Sequence, residues 1–522
     1  MPKLLDEIVA ARGDELALAD EFGRTTWSKL DERTRRLINA FKGASIGPGD
    51  TIALMLGNRR ECFEIFQAAA HLGVTYVPVN WHWVADELAY VLDDADAKAL
   101  LVGHRFLEIA EEALSDTRSQ GVQLSLAVGE NSSGQLNDYE EFVSSGDTTD
   151  LPADKQLLGG PMFYTSGTTG RPKGVRGALS GGDTIPTEVM QLIGSSMGSY
   201  VPQGGRSLLV GPVYHSAQWA FTFMPMINGS SVVMRHKFDG AETVKLIDEE
   251  KITNIHLVPT QFKRMLDISS EDKESFSGES LEAVWHGAAP CPPPWKKAML
   301  DWFGPKIHEY YGSTEGAFIS NILADDWIRK EGSVGKPVET IEVIIIDDDG
   351  ERIEKPNEPG ILYFRNLMGM GFEYHKAPEK TAEAHLEPGV FTTGDIGYLD
   401  EEGYLWLSDR KIDMIISGGV NIYPAEIEAV IAEHPGVADV SVIGVPNEEY
   451  GEEVKAVVEC SEGHQANDEF SKELLQLCNQ KLAGYKRPKS IDFVSQLPRT
   501  GTGKILKRKL REPYWEGLER SI

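Results

Sequence analysis

Short apolar runs separated by helix-length amphipathic segments dominate the first two thirds of the chain. No other feature limits the available folds as much. Thr51–Leu56, Leu100–Val102, Leu208–Val210, Val232–Met234, Ile255–Val258 and Val343–Ile346 are all of strand length, bounded by Gly, Pro or polar clusters. A run without polar alternation reads as a strand buried on both faces, which requires helices on each side of a parallel sheet. The intervening segments supply them. Trp27, Leu30, Leu37, Ile38 and Phe41 recur at helical spacing, as do Phe63, Phe66, Ala70 and Leu72. The pattern predicts a layered α/β protein with mainly parallel sheets.

The rhythm changes later. Glu342–Ile346, then Asp-Asp-Asp-Gly, then Ile361–Phe364 reads as hairpin material, and Asp-Glu-Glu-Gly between Leu399 and Tyr404 is a second turn signal. The polar stretch Glu130–Lys155 is expected to be a loop between subdomains, and Ser269–Ser280 a second interruption. A self-contained α+β unit is expected after Asp409, with a helix over Ile427, Val430 and Ile431. Its strands are expected at Val440–Val445, Val454–Val458 and Ile491–Val494. The expected division is residues 1–409 and 410–522. With 522 residues, 41% of them hydrophobic, the chain can fill more than one core.

Charge narrows the partners. Lys and Arg total 51 against 81 Asp and Glu, a formal net charge of −30, which repels phosphate backbones and anionic lipid. Nucleic acid is therefore not an expected partner. Cys62, Cys291, Cys460 and Cys478 are far apart, with no C-x-x-C pair, arguing against a zinc site and a disulfide framework. Acidic residues interrupt the N-terminal stretch, and no run of eighteen uncharged apolar residues occurs, so neither a signal peptide nor a membrane span is expected. The expectation is a soluble cytoplasmic protein, and a homodimer is among the assemblies the sequence allows.

The chemistry-bearing segment is Tyr164–Gly174, Y-T-S-G-T-T-G-R-P-K-G. Thr165, Ser166, Gly167, Thr168, Thr169 and Gly170 offer backbone N–H and hydroxyl donors that can wrap phosphate oxygens, and Lys173 adds a point charge. The spacing is not that of a Walker A loop. The segment resembles the phosphate-binding signature of the adenylate-forming superfamily, which includes acyl-CoA synthetases, peptide-synthetase adenylation domains and firefly-type luciferases. Further motifs in order carry the resemblance across nearly the whole chain. Tyr311-Gly312-Ser313-Thr314-Glu315 resembles the family's YGxTE, Thr393-Gly394-Asp395 its TGD, and Asp409-Arg410 through Glu428 its linker motif. Pro498-Arg499-Thr500-Gly501-Thr502-Gly503-Lys504 resembles its C-terminal lysine loop.

The resemblance implies a large N-terminal domain of stacked, mainly parallel sheets with helices, a small β-barrel-like subdomain, and a small mobile α+β C-terminal domain. It also implies ATP, Mg²⁺ and coenzyme A, with a small carboxylic acid activated as acyl-AMP and passed to the CoA thiol. Glu315 is the implied Mg²⁺ ligand, Thr314 the donor to the α-phosphate, and Tyr311-Gly312 with Gly287, Ala288 and Ala289 the adenine walls. Asp395 can accept from both ribose hydroxyls, Arg410 is expected beside it, and Lys504 is the lysine a domain closure would bring to the reacting oxygens. Relatives hinge two residues after the linker arginine, usually at Asp or Lys. Here that position is Ile412, between Lys411 and Asp413, so the hinge residue departs from the pattern. Gly418 and Gly419 are expected to line the pantetheine tunnel.

For the acyl group, Gly211–Trp219 (G-P-V-Y-H-S-A-Q-W) lacks the acid that amino-acid-activating relatives use to hold an ammonium, which would be costly to bury alone. His215 resembles the gate histidine of acyl-CoA synthetases. Trp219, Phe221, Phe223 and Trp285 read either as an apolar slot for a fatty or ring-bearing acid or as ordinary core aromatics. The reading is an AMP-forming acyl-CoA ligase. A carrier-protein-loading adenylation enzyme and a luciferase-like oxygenase are the alternatives, the latter disfavoured by the C-terminal Glu519-Arg520-Ser521-Ile522.

Overall fold

The computed structural model describes residues 2–130, 134–165, 171–177, 180–288, 291, 293–347, 350–410, 415–422, 424–461, 463–498 and 507–516. Ser166, Gly167, Thr168, Thr169, Gly170, Ala289 and Lys504 lie outside the described residues, as do Lys411, Ile412 and Asp413. Only the backbone of Arg410 is described.

Two parallel sheets form the frame. In the larger, six parallel strands run in the spatial order Ile307–Ser313, Ala283–His286, Asn254–Leu257, Arg206–Leu209, Ser231–Met234 and Leu16–Asp20, with antiparallel strands closing both edges. The smaller orders Thr75–Pro78, Thr51–Met55, Ala97–Gly103, Leu124–Val128 and Asn137–Asp138, all parallel. Because successive side chains leave a strand on opposite faces, one strand feeds two cores. Ile52 and Leu54 join Leu209, Val232 and Met234 in a core shared by both sheets, while Ala53 and Met55 face the helices Ala85–Asp94 and Leu107–Leu114. In the larger sheet Leu208, Val233, Ile255 and Val284 pack on the helices Gly240–Glu249, Pro259–Leu266 and Pro293–Phe303.

The helix Trp27–Gly43 starts where Thr26 caps it, its side chain accepting from the Lys29 N–H at 3.3 Å. Trp27, Leu30, Leu37, Ile38 and Phe41 are buried, so the predicted stripe is the one that packs. Each such side chain contributes about 1.5–3 kcal/mol on burial.

The expected change of rhythm is an antiparallel sheet of Ile341–Ile346, Gly360–Asn366, Val390–Leu399 and His385–Glu387, with Leu405–Arg410 added on Val390–Leu399. Ile346 pairs Ile361 across the first turn, and Asp400 and Tyr404 close the second. From Ile415 onward a separate sheet forms, with Ser490–Val494 running parallel to Gly451–Cys460 and the helices Pro424–Ala432 and Asp468–Lys481 covering it.

One expectation is corrected. Glu130–Lys155 is not simply a loop, because it contains the helix Tyr139–Ser145. Asp138 caps it, and Tyr139 and Val143, one turn apart, are its buried anchors. Ser269–Ser280 likewise holds a short helix, Ser270–Ser275. All four cysteines are free thiols. Among the described residues no helix is long and apolar enough to cross a membrane.

Candidate active site

The strands on either side of the segment expected to hold phosphate are paired. Phe163–Thr165 and Lys173–Gly177 pair antiparallel with Thr165 opposite Lys173. Tyr164 anchors the pair by donating to Asp94 at 2.6 Å, and the Tyr90 hydroxyl donates to the Pro172 carbonyl at 3.2 Å. The Lys173 ammonium lies 4.9 Å from the centre of the Tyr374 ring. Burial and the nearby Lys380 hold it below the usual lysine range.

The same tyrosine reaches the next motif. Its hydroxyl donates to Glu315 Oε1 at 3.1 Å, so Lys173, Tyr374 and Glu315 meet at the end of the strand pair. Glu315 sits in the turn between the strands Ile307–Ser313 and Ala317–Ile322. Gly312 is needed there, since a Cβ would lie 2.0 Å from the Ala317 carbonyl oxygen. The surrounding protein raises the Glu315 carboxyl, while hydrogen bonds from its own backbone, Tyr374 and Ser313 pull it down. Thr314 Oγ1 lies 3.1 Å from the Ser216 hydroxyl, tying this turn to the residue after His215.

Asp395 is buried. Tyr311 and Thr393 both donate to its Oδ2, Thr393 at 2.8 Å. The Tyr311 ring is itself buried in the core of the antiparallel sheet. Strand register sets Asp395 directly opposite Arg410, so the residues of two separate motifs meet through one hairpin. On the other side, Gly287 and Ala288 follow the strand Ala283–His286, and Ala288 holds a left-handed φ of 67° that a non-glycine residue adopts only when its surroundings impose it.

His215 begins the helix Ser216–Met226 and stacks obliquely beside Tyr214 at 4.6 Å. It is exposed, yet so deeply surrounded by protein that its imidazole is pushed down to about 4, by desolvation first and by His82 second. It is therefore a neutral ring near neutral pH. Trp219 is buried, donating to Tyr76 Oη at 2.8 Å and stacking on Phe223. Trp285 donates to the Tyr200 carbonyl at 2.7 Å, and with Tyr200, Phe221, Tyr310 and Phe318 it forms an aromatic cluster.

The small C-terminal unit lies against this face. Thr260 Oγ1 donates to the Gly418 carbonyl at 3.1 Å, Gly418 having φ +60°, and Gly419 sits beside Val258. Asn80 donates to Tyr485 Oη at 2.8 Å, and His82 packs edge-on against the same ring. Sequence reasoning missed Tyr374, Tyr76 and Tyr485. Each is outside the motifs and acquires its role from a partner far along the chain.

The AMP-binding enzyme family profile matches residues 5–371, and that of the AMP-binding enzyme C-terminal domain residues 426–504. The chain is 30% identical to the long-chain-fatty-acid–CoA ligase FadD13 of Mycobacterium tuberculosis, over 94% of this chain and 93% of that one. The amide bond synthetase McbA from Marinactinospora thermotolerans superposes with a TM-score of 0.84 at 28% identity, covering 98% and 99% of the two chains. A double mutant of o-succinylbenzoate CoA synthetase (MenE) from Bacillus subtilis, bound with its product analogue OSB-NCoA, gives 0.83 at 27% identity, covering 98% of both. The same enzyme with its acyl-adenylate intermediate OSB-AMP gives 0.66 at the same identity and coverage.

Fold and site together define an adenylate-forming enzyme. The chain belongs to the AMP-binding enzyme family, in the acyl-CoA synthetase branch of the adenylate-forming superfamily, and is an AMP-forming acid–CoA ligase.

Proposed function

We propose that the enzyme activates a lipophilic carboxylic acid, either a medium- or long-chain fatty acid or a bulky ring-bearing acid, and transfers it to coenzyme A. The observation that carries this reading is the convergence of the strand pair ending at Thr165 and Lys173, Tyr374, Glu315 and Thr314 with Ser216, next to the neutral His215. In the first half-reaction a carboxylate oxygen attacks the α-phosphorus of ATP, the bond from that phosphorus to the bridging oxygen breaks, and pyrophosphate leaves. The 165–170 loop and Lys173 hold the phosphates, Thr314 donates to the α-phosphate, Asp395 and Arg410 hold the ribose, and Tyr311, Gly312, Gly287, Ala288 and Ala289 flank the adenine. Lys504 stabilises the charge that develops.

Glu315 would hold Mg²⁺ jointly with the phosphates. A carboxylate raised by desolvation gains from an adjacent cation, and Mg²⁺ commonly takes one or two carboxylates plus phosphate oxygens. The ion would neutralise phosphate charge.

In the second half-reaction the CoA sulfur attacks the acyl carbonyl carbon, the bond from that carbon to the phosphate oxygen breaks, AMP leaves with the electron pair, and the thiol proton passes to water. Gly418 and Gly419 admit the pantetheine arm close to the backbone. The division into residues 1–409 and 410–522 fits the start of a new sheet at Ile415. The likeness to an amide bond synthetase supports a second acceptor class, an amine in place of the thiol.

Pyrophosphate release at subsaturating acetate, octanoate, palmitate, an arylpropionate and phenylalanine tests the acyl class. Each buried methylene adds about 0.8 kcal/mol, so for a lipophilic acyl site kcat/KM rises about fourfold per methylene until the site is full. Acetate or phenylalanine leading the series would overturn the lipophilic assignment.

A further inference from the structure

The proposed mechanism makes no use of the most deeply buried charge cluster between the two units. Lys486, in the small domain, donates to Glu87 of the large domain at 2.7 Å and to Glu426 of its own domain at 2.5 Å. The three side chains are 1%, 6% and 5% exposed. The ammonium also lies 5.7 Å from the ring centres of Trp83 and Tyr485, so it faces two carboxylates and two aromatic rings. Glu87 is fixed from below. Its other oxygen accepts from the Val84 N–H at 3.1 Å, capping the helix Ala85–Asp94. The adjacent Ala483 and Tyr485 pack into the large domain's apolar cluster with Trp81, Trp83 and Leu88.

From this geometry we infer that Lys486 is a positioning residue for the thioester-forming half-reaction, latching the small domain where Gly418 meets Thr260 and Tyr485 meets Asn80 and His82. The inference rests on the ligase reading above. An independent likeness supports it. The chain superposes on the CoA-analogue complex of MenE with a TM-score of 0.83 and on the acyl-adenylate complex of the same enzyme with 0.66, at equal identity and coverage.

An ionic latch suits a contact that must break in every turnover. Burying three charges costs much of what their attraction returns, so the closed state gains little net affinity. When the domains part, the Lys486–Glu426 pair stays together and Glu87 returns to water. Geometry, in contrast, is strongly specified, because any other placement would leave Glu87 or Lys486 buried and unmatched. An apolar contact of equal area would hold more tightly and discriminate less.

The test measures the half-reactions separately, pyrophosphate release without CoA and thioester formation from supplied acyl-AMP with CoA. Lys486→Met and Glu87→Gln are each expected to slow the second step about tenfold or more while the first stays within about twofold. The double variant is expected to match the slower single variant within about twofold, because both changes break one contact. Second-step rates within about twofold of wild type in both single variants would overturn the latch. So would equal loss in both steps, the signature of general damage. If Lys486→Met does not fold, Glu87→Gln decides alone, since its carboxylate is not part of the small domain. Wild type failing to form thioester would instead overturn the ligase reading.

Discussion

Glu315 and Lys173 are held away from their ordinary titration ranges in opposite directions by the same cause, exclusion of water, and Tyr374 lies between them. In the proposed mechanism phosphate charge would restore stabilisation to Lys173, and a cation beside the phosphates would do so for Glu315. The motif residues were legible because the chemistry is contiguous in the chain. Tyr374 was not, because its place is set by strand pairing with Lys173–Gly177 and nothing in its own neighbourhood marks it. In the proposed mechanism Lys504 serves the first half-reaction. Lys504→Ala is expected to lower adenylation at least about a hundredfold and to leave thioester formation from supplied acyl-AMP largely intact, read by the two half-assays. Equal loss in both would contradict the assignment.

His71 gives a stability prediction. It is buried, its Nε2 accepts from the Leu4 N–H and its Nδ1 donates to the Gln67 carbonyl, fixing the neutral tautomer. Burial pushes its imidazole down to about 4, below the unfolded value of about 6.5. Between these values the unfolded chain binds the proton and the folded one does not. The contribution is therefore complete above about pH 6.5 and is lost as the pH falls toward 4. At pH 5 the loss is about 2 kcal/mol. Urea unfolding at pH 7 and pH 5 is expected to show wild type losing about that much more than His71→Gln, and equal losses would contradict it.

At the scale of elements, strand runs and helix stripes were largely legible, since a buried parallel strand has to be continuously apolar. Thr51–Met55 and Ser231–Met234 lie where the runs place them. The helix Tyr139–Ser145 escaped notice because its two apolar anchors stand among acids and serines, and only tertiary burial of Tyr139, which donates to Glu64 at 2.9 Å, reveals its face. The turn carrying Glu315 is sensitive to a single methyl. Gly312→Ala would drive a Cβ into the Ala317 carbonyl, so a loss of about 1–3 kcal/mol is expected together with a fall in adenylation. Thermal unfolding and pyrophosphate release check it, and an unchanged melting temperature would contradict the packing argument.

On the scale of the whole molecule, two stacked parallel sheets present the ends of several strands to one face, and the small domain docks across it. The layered class was legible in the alternation of runs and helices. The docking was not, because Lys486 and Glu87 are 399 residues apart and each alone reads as a surface charge. The acidic surface bears on partners and left the fold undetermined. The central claim is that one chain couples acyl-adenylate formation to thioester formation. The direct measurement is product stoichiometry with ATP, the best acid of the panel, and CoA. The account predicts one AMP, one pyrophosphate and one acyl-CoA per acid consumed, with acyl-AMP retained on the enzyme when CoA is omitted. ADP and phosphate as products, or acyl-AMP that CoA does not consume, would contradict it.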